Sequence, residues 1–176
     1  QGIEIGRLRA RIDEYDKMQK TFRTRFTGMR FYFYTCKSPY DHLTEANKMI
    51  DDKEEKIKQL QSQATLFEVA VPNFPLMEKC RKENKMLKQL WDYIFLVRTS
   101  IDEWKTTAWV DIDVENMDME CKKFAKDSRG LDKEMRGWNA FIGLELTVKN
   151  MLTSLRAVGE LQNPAIRERH WEQLVQ

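Results

Sequence analysis

A chain of 176 residues accommodates one ordinary domain or one elongated one. Thirty basic against 28 acidic side chains leave a net charge of +2, which sets aside the pronounced bias of a nucleic-acid or acidic-lipid binder. Seven glycines, four prolines and 33% intermixed charged residues favour long helices with solvated faces over a sheet protein, and no apolar run approaches the ~20 residues of a membrane span.

The first element is carried by Ile5, Leu8, Ile12, Tyr15, Phe22, Phe26 and Met29, which fall at alternating spacings of three and four with Gln19 in one polar slot. That seam predicts one amphipathic helix over residues 3–30. The aromatic cluster at 29–39 has no second strand to pair with and reads as the buried end of this helix entering a turn. Ser38-Pro39-Tyr40-Asp41 then offers an N-cap, a proline at the first helical position and an early acid. Leu43, Ala46, Ile50, Ile57, Leu60, Ala64, Phe67 and Val71 extend a second seam, interrupted by Lys53, and the charge run DDKEEKIKQLQSQ is its wet face. Two prolines in VPNFP (71–75) break or kink the chain, and the joint is expected to separate two bundles that can tilt relative to one another.

A third helix is predicted from Pro75 to Thr107, with Leu76, Cys80, Leu87, Leu90, Trp91, Ile94, Val97, Ile101, Trp104 and Ala108 as its stripe. Thirty residues at ~1.5 Å each span about 45 Å, which points to an elongated architecture. Asp111 or Asp113 caps a shorter helix whose inward side is Val114, Met117, Cys121 and Phe124. Gly130 is expected to end it in the left-handed conformation. Leu131 opens a further helix through Trp138, Phe141, Ile142, Leu146, Leu152 and Leu155 to Leu161, with FIGLELTV buried between neighbours. Asn163-Pro164 starts a last helix with Ile166, His170 and Leu174 on one edge and Trp171 beside them. The fold class is all-α, an elongated bundle of long amphipathic helices. The absent initiator methionine and the unfinished last helix suggest a segment of a longer chain.

Chemistry is sparse. The glycines are dispersed, and the spacing of a phosphate-binding loop is missing. A di-iron bundle needs Glu-x-x-His pairs, yet His42 follows Pro39 and His170 follows Arg167 by three residues. Cys36, Cys80 and Cys121 are too scattered for a zinc pair and, being odd in number, read as reduced cytosolic thiols. A nucleophile–histidine–acid set stays open in principle because its members can lie far apart, but with two histidines near helix starts the reading is non-enzymatic. Trp91, Trp104 and Trp138 sit on apolar stripes and read as packing, not as a ligand pocket. Basic and aromatic residues interleave at 20–34, a pattern that suits RNA or a phosphoinositide; the near-neutral charge favours arginines flanking a seam.

The closing stretch carries a resemblance. Leu161-Gln162-Asn163-Pro164-Ala165-Ile166-Arg167-Glu168-Arg169-His170-Trp171 resembles the L-x-N-P-x-[LIM]-R-x-R-H-W signature of dynein heavy chains. Leu90-Trp91, Trp104 and the long helix running into the signature are similar to the same region, so the resemblance covers 67–176; before that only long amphipathic helices match. The style is that of an axonemal, outer-arm heavy chain. The resemblance implies a structural segment between the tail, which binds cargo or the doublet microtubule, and the linker, which lies across the ring of ATPase modules and swings in the power stroke. It divides the chain into a two-helix tail segment, 1–71, and the start of a linker-type helical region, 72–176. Asn163, Pro164, Arg167, Arg169, His170 and Trp171 carry the motif and are assigned to packing and local hydrogen bonding. No catalytic residue, cofactor site or metal ligand is implied here; ATP and Mg belong to downstream motor modules. The implied partners are other dynein heavy, intermediate and light chains and the rest of the same heavy chain. Microtubules are engaged only through the full motor, and neither nucleic acid nor membrane is a partner. The implied setting is the cytoplasm and cytoskeleton, in the axoneme of a cilium or flagellum. Joints are expected at 71–75, 109–113 and 162–164. A coiled-coil, spectrin-like scaffold or tethering bundle is the rival reading, but it calls for a recurring three-helix unit that the sequence lacks.

Overall fold

A computed structural model describes residues 2–162. Among them the regular elements are helical, and the fold is all-α: α1 (Gly2–Thr27), α2 (Pro39–Leu66), α3 (Pro75–Lys105), α4 (Val114–Arg129) and α5 (Asn139–Gln162). Three short 3-10 turns stand between them, at Arg30–Tyr32, Trp109–Asp111 and Lys133–Gly137. The chain clusters into two compact units, Gln1–Trp91 and Asp92–Gln176. Residues 75–91 of α3 belong to the first and 92–105 to the second.

The first unit is an up-down-up bundle. Arg11 of α1 donates to Gln63 of α2 at 2.9 Å, while Lys53 lies 5.1 Å from the Phe22 ring, so sequence numbers run in opposite directions along this pair. Along α1 and α3 they run the same way, Gln19 meeting Leu76 and Arg23 meeting Cys80 and Glu83. Most of the core comes from the seams predicted from spacing: Leu8, Phe22 and Phe26 from α1, Leu43, Ala46, Ile50, Ile57, Leu60 and Ala64 from α2, and Cys80, Leu87, Leu90 and Trp91 from α3 are buried, while at the start of α3 Met77 is buried in place of the expected Leu76, which is half-buried. A fully buried Leu, Ile or Phe contributes roughly 1.5–3 kcal/mol, so this seam, not helix propensity, holds the bundle.

Between α1 and α2 the aromatic cluster turns inward, as expected, without forming a strand. Phe31 is fully buried, with ring centroids 5.3 Å from Phe26 and 5.4 Å from Tyr32. Ser38 precedes α2, but its hydroxyl makes no cap. The residue sits in the left-handed region at φ 55°, ψ 52°, whereas a capping side chain needs extended backbone to reach the first N–H groups. Its carbonyl instead accepts from Asp41 and His42, at 3.2 and 3.4 Å.

α2 closes with a Schellman arrangement: Val69 N–H donates to Ala64 O at 2.9 Å and Glu68 N–H to Thr65 O at 3.2 Å. Glu68 takes the left-handed position, φ 57°, that glycine usually fills. The expected tilt at 71–75 meets a tethered corner inside the first unit. Gln61 Nε2 donates to Pro72 O at 3.0 Å, Phe74 is buried, and Phe74 O accepts from Met77 and Glu78, each at 3.1 Å. The prolines do remove backbone donors, as foreseen, but neighbouring groups satisfy the carbonyls that remain.

In the second unit, Asp113 caps α4 by accepting from Asn116 N–H at 3.1 Å. Met117 and Cys121 of α4 pack on Leu155 of α5, with Trp104, Ile112, Met151 and Leu152 around them. Phe124 stacks on Trp104 at 6.3 Å and meets Tyr93 edge-on at 6.2 Å. Two expectations fail here and a third holds only in part. Gly130 keeps right-handed backbone, φ −77° and ψ −10°, so it is no left-handed cap. The helix predicted to open at Leu131 starts at Asn139 instead, because Asp132 accepts from Glu134 N–H at 2.9 Å and nucleates the 3-10 turn that buries Met135. Within FIGLELTV, Phe141, Leu144 and Val148 are buried, but Ile142 and Leu146 are exposed, at 44% and 52%.

Two measurements follow from this packing. Glu68→Gly should raise stability to urea by about 1 kcal/mol, the cost of a side chain in the left-handed region; no gain would mean that the corner is unstrained. Burial, reinforced by Asp118 and Glu120, pushes the Cys121 thiol from about 9 up to about 11. A raised folded-state value gives stability that is complete below pH ~9 and lost as pH climbs toward ~11. Cys121→Ala should therefore flatten the alkaline decline measured between those limits.

Candidate functional site

The most ordered polar arrangement lies where α1, α2 and α3 meet in the first unit, and it grows out of gaps in the apolar seams. Gln19 occupies a seam slot of α1 and is buried. Its Oε1 accepts from Leu76 N–H at 3.1 Å, supplying one of the partners that the first turn of α3 lacks, and its Nε2 donates to Asp16 at 2.8 Å. One turn further along α1, Arg23 pairs with Glu83 of α3, with side chains only 15% and 8% exposed. Arg23 Nη1 also lies 3.8 Å from Cys80 Sγ, and its guanidinium sits 6.0 Å from the Phe26 ring. Lys53, the exception in the α2 seam, places its ammonium over Phe22.

The electrostatics of this cluster oppose reactivity. Burial disfavours the Arg23 charge, but the hydrogen bonds it donates to Glu83 and Cys80 and the Glu83 charge outweigh it, so the guanidinium holds its proton more firmly than usual. Burial pushes the Cys80 thiol up against the pull of Arg23. Burial likewise raises the Tyr32 phenol, with the Glu83 charge adding. A nucleophilic cysteine needs the reverse, a depressed value in an electropositive and accessible place. The arrangement is a lock between helices.

Two further contacts extend the lock. Arg81 of α3 reaches across to α2, donating through Nε to Glu54 at 3.1 and 3.2 Å and through its terminal nitrogens to Asp51 and Asn47. The Asp51 and Glu54 side chains are 61% and 41% exposed, so solvent screens this pair far more than it screens Arg23–Glu83. Trp91 Nε1 donates to Phe31 O at 2.7 Å, fastening the 3-10 turn after α1 to α3.

The motif residues Asn163, Pro164, Arg167, Arg169, His170 and Trp171, with the last helix expected there, lie outside the described residues. Of the stripe tryptophans, Trp91 is fully buried, whereas Trp104 and Trp138 are half-buried. Cys36, Cys80 and Cys121 are buried, and none of them is in a disulfide. Among the described residues no group of three His, Cys, Asp or Glu is placed to hold a metal, and no helix is long and apolar enough to cross a membrane. Sequence reading missed Glu83. Its signal is the vacant step between Cys80 and Leu87, where the three-four spacing calls for an apolar residue and finds a carboxylate.

Residues 77–176 match the family described as dynein heavy chain, N-terminal region 2. The chain belongs to the dynein heavy chain family. It is 53% identical over 175 residues, 99% of its length, to the ciliary dynein beta chain of Tripneustes gratilla. It is 49% identical over 176 residues to human dynein axonemal heavy chain 17, and 31% identical over an alignment of 199 residues to the flagellar outer arm beta chain of Chlamydomonas reinhardtii. It spans about 4% of the length of each of these relatives. The likeness reaches into residues 1–66, where the motif-based resemblance was weak, and the beta-chain relatives are compatible with an outer-arm type. These ciliary, axonemal and flagellar relatives set the dynein segment in the cytoskeleton of the cilium or flagellum.

The lock has a testable energetic signature. Glu83→Leu strands the Arg23 charge and should cost about 3–5 kcal/mol in urea unfolding, whereas Arg23→Met combined with Glu83→Leu should recover most of that loss. Additive losses would show that the two side chains act independently.

Proposed function

We propose that this dynein segment joins the tail to the linker of an axonemal heavy chain and works as a mechanical element, passing on the ATP-driven power stroke without catalysing it. On this reading residues 1–71 close the tail and 72–176 begin the linker. Its partners are other dynein heavy, intermediate and light chains and the remainder of its own heavy chain, and it meets microtubules only through the whole motor. Nucleotide and Mg are handled elsewhere in the motor. Asn163, Pro164, Arg167, Arg169, His170 and Trp171 serve packing and local hydrogen bonding.

The observation that supports this reading is the course of α3. The match to N-terminal region 2 begins at Met77, within the first turn of the 31-residue helix α3. An unbroken hydrogen-bonded helix resists bending at its interior, while its ends are where the chain can turn. The polar groups brought together around α3 bind one another, which suits a load-bearing role better than turnover of a substrate.

Leu96 offers a test because it is exposed on α3 and fills no core position. In the full-length heavy chain, Leu96→Pro removes a helical hydrogen bond and kinks the helix, at a local cost of about 3 kcal/mol. Microtubule gliding speed should fall several-fold while ATP turnover per motor stays within about twofold. Gliding and turnover falling together, or gliding unchanged, would defeat the mechanical reading.

A further inference from the structure

The turn joining α1 to α2 builds a surface that the lock does not use. An open concavity of about 710 Å³ lies there, and Arg30, Phe33, Lys37 and His42 line it around the buried Cys36. A smaller hollow of about 190 Å³ shares Arg30 and His42 with it and adds Arg25, with Glu45 as its one carboxylate. Among the described residues, the larger hollow has no carboxylate in its lining. Arg25, Arg30, Lys37 and His42 make no ion pair among the described residues, in contrast to Lys20, Arg23, Lys56, Arg81 and Lys122, which do. Phe33 stays 44% exposed beside them, although the adjacent Phe31 and Tyr32 are buried. In a chain of net charge +2, Arg25, Arg30 and Lys37 are a local excess of unpaired cations around the exposed Phe33.

We propose that this concavity docks an acidic protein segment, several carboxylates flanking one aromatic or aliphatic side chain that packs on Phe33. Charge complementarity selects the carboxylates. The volume falls in the range that encloses a short stretch of peptide. A flat bilayer would meet the rim and leave the floor empty. Single-stranded nucleic acid would need a row of stacking aromatics, and among the described residues the lining offers Phe33 alone. Phe33 supplies the anchor contact and the surrounding cations supply attraction and orientation.

The test uses the whole 176-residue chain and a fluorescein-labelled peptide of eight glutamates around a central phenylalanine, followed by anisotropy. Saturable binding is expected, weakening as salt rises from about 50 to about 300 mM. The paired change Arg30→Glu and Lys37→Glu should reduce affinity at least tenfold, and Phe33→Ala several-fold. Lys58→Glu with Lys79→Glu alters net charge equally on exposed helix faces and should leave affinity unchanged. Circular dichroism checks folding; if the glutamate pair unfolds, Arg30→Gln with Lys37→Gln takes its place and should lower affinity in the same direction. Equal loss in the control pair would reduce the effect to net charge and overturn the proposal. So would an absence of saturable binding, or capture by vesicles containing phosphatidylinositol bisphosphate without capture of the peptide.

Discussion

Arg23 and Glu83 face one another where α1 and α3 cross, both largely removed from water. Neither can be displaced without leaving the other as an uncompensated buried charge, a change that costs several kcal/mol. A one-turn slide of α3 along α1 moves each group about 5.4 Å and breaks the pair, so the crossing is held in a single register. The apolar seam cannot do this alone, because leucines and phenylalanines spaced three and four apart find similar neighbours one turn on. Gln19 adds to the constraint from one turn earlier, since its contact with Leu76 N–H fits only when Arg23 is opposite Glu83.

The second unit solves the same problem with different means. Its contacts are the Met117–Cys121–Leu155 cluster and the rings of Tyr93, Trp104 and Phe124, and Tyr93 OH donates to Phe124 O at 3.3 Å. Stacked rings fix orientation through shape and quadrupole, worth about 0.5–1.5 kcal/mol beyond area. That is weaker discrimination between registers than a buried charge pair gives. The polar side chains at seam positions are therefore concentrated where one alignment of three helices has to be chosen, and the bundle is specified there more tightly than its apolar area alone would require.

Much of this was legible before any coordinates. Most of the seam positions of α1, α2 and α3 return in the core, though Ile5, Ile12, Tyr15, Met29, Phe67 and Leu76 are only half-buried and Val71 is exposed; Asp113 caps α4, and Pro39 opens α2. What escaped was local backbone chemistry. Asp132 offers Glu134 N–H a closer acceptor than a helical carbonyl, which delays α5 to Asn139, and nothing in an apolar spacing count reveals that competition. The left-handed conformation expected at Gly130 falls to Ser38 and Glu68 instead, because composition says which residue tolerates a conformation, not which one the tertiary path imposes. Gln19 and Lys53 were visible as exceptions to their seams, but their partners Leu76 N–H and the Phe22 ring lie 57 and 31 positions away, beyond the reach of periodicity.

The same contacts bear on where the family region begins. The match to N-terminal region 2 starts at Met77, yet Glu83 and Trp91, in the first half of α3 inside it, find their partners before it. Glu83 is paired by Arg23 and Trp91 Nε1 by Phe31 O, while Leu76 N–H, at the threshold, is met by Gln19. Cut free at Met77, the matched stretch would carry a carboxylate and an indole N–H shaped for burial with nothing to receive them. The compact units divide at Trp91 and Asp92 instead, just after the last of these groups. The start of the matched region is therefore not a place where the chain could be divided into independently satisfied halves, and α1 and α2 are as necessary to the first half of α3 as its own apolar stripe.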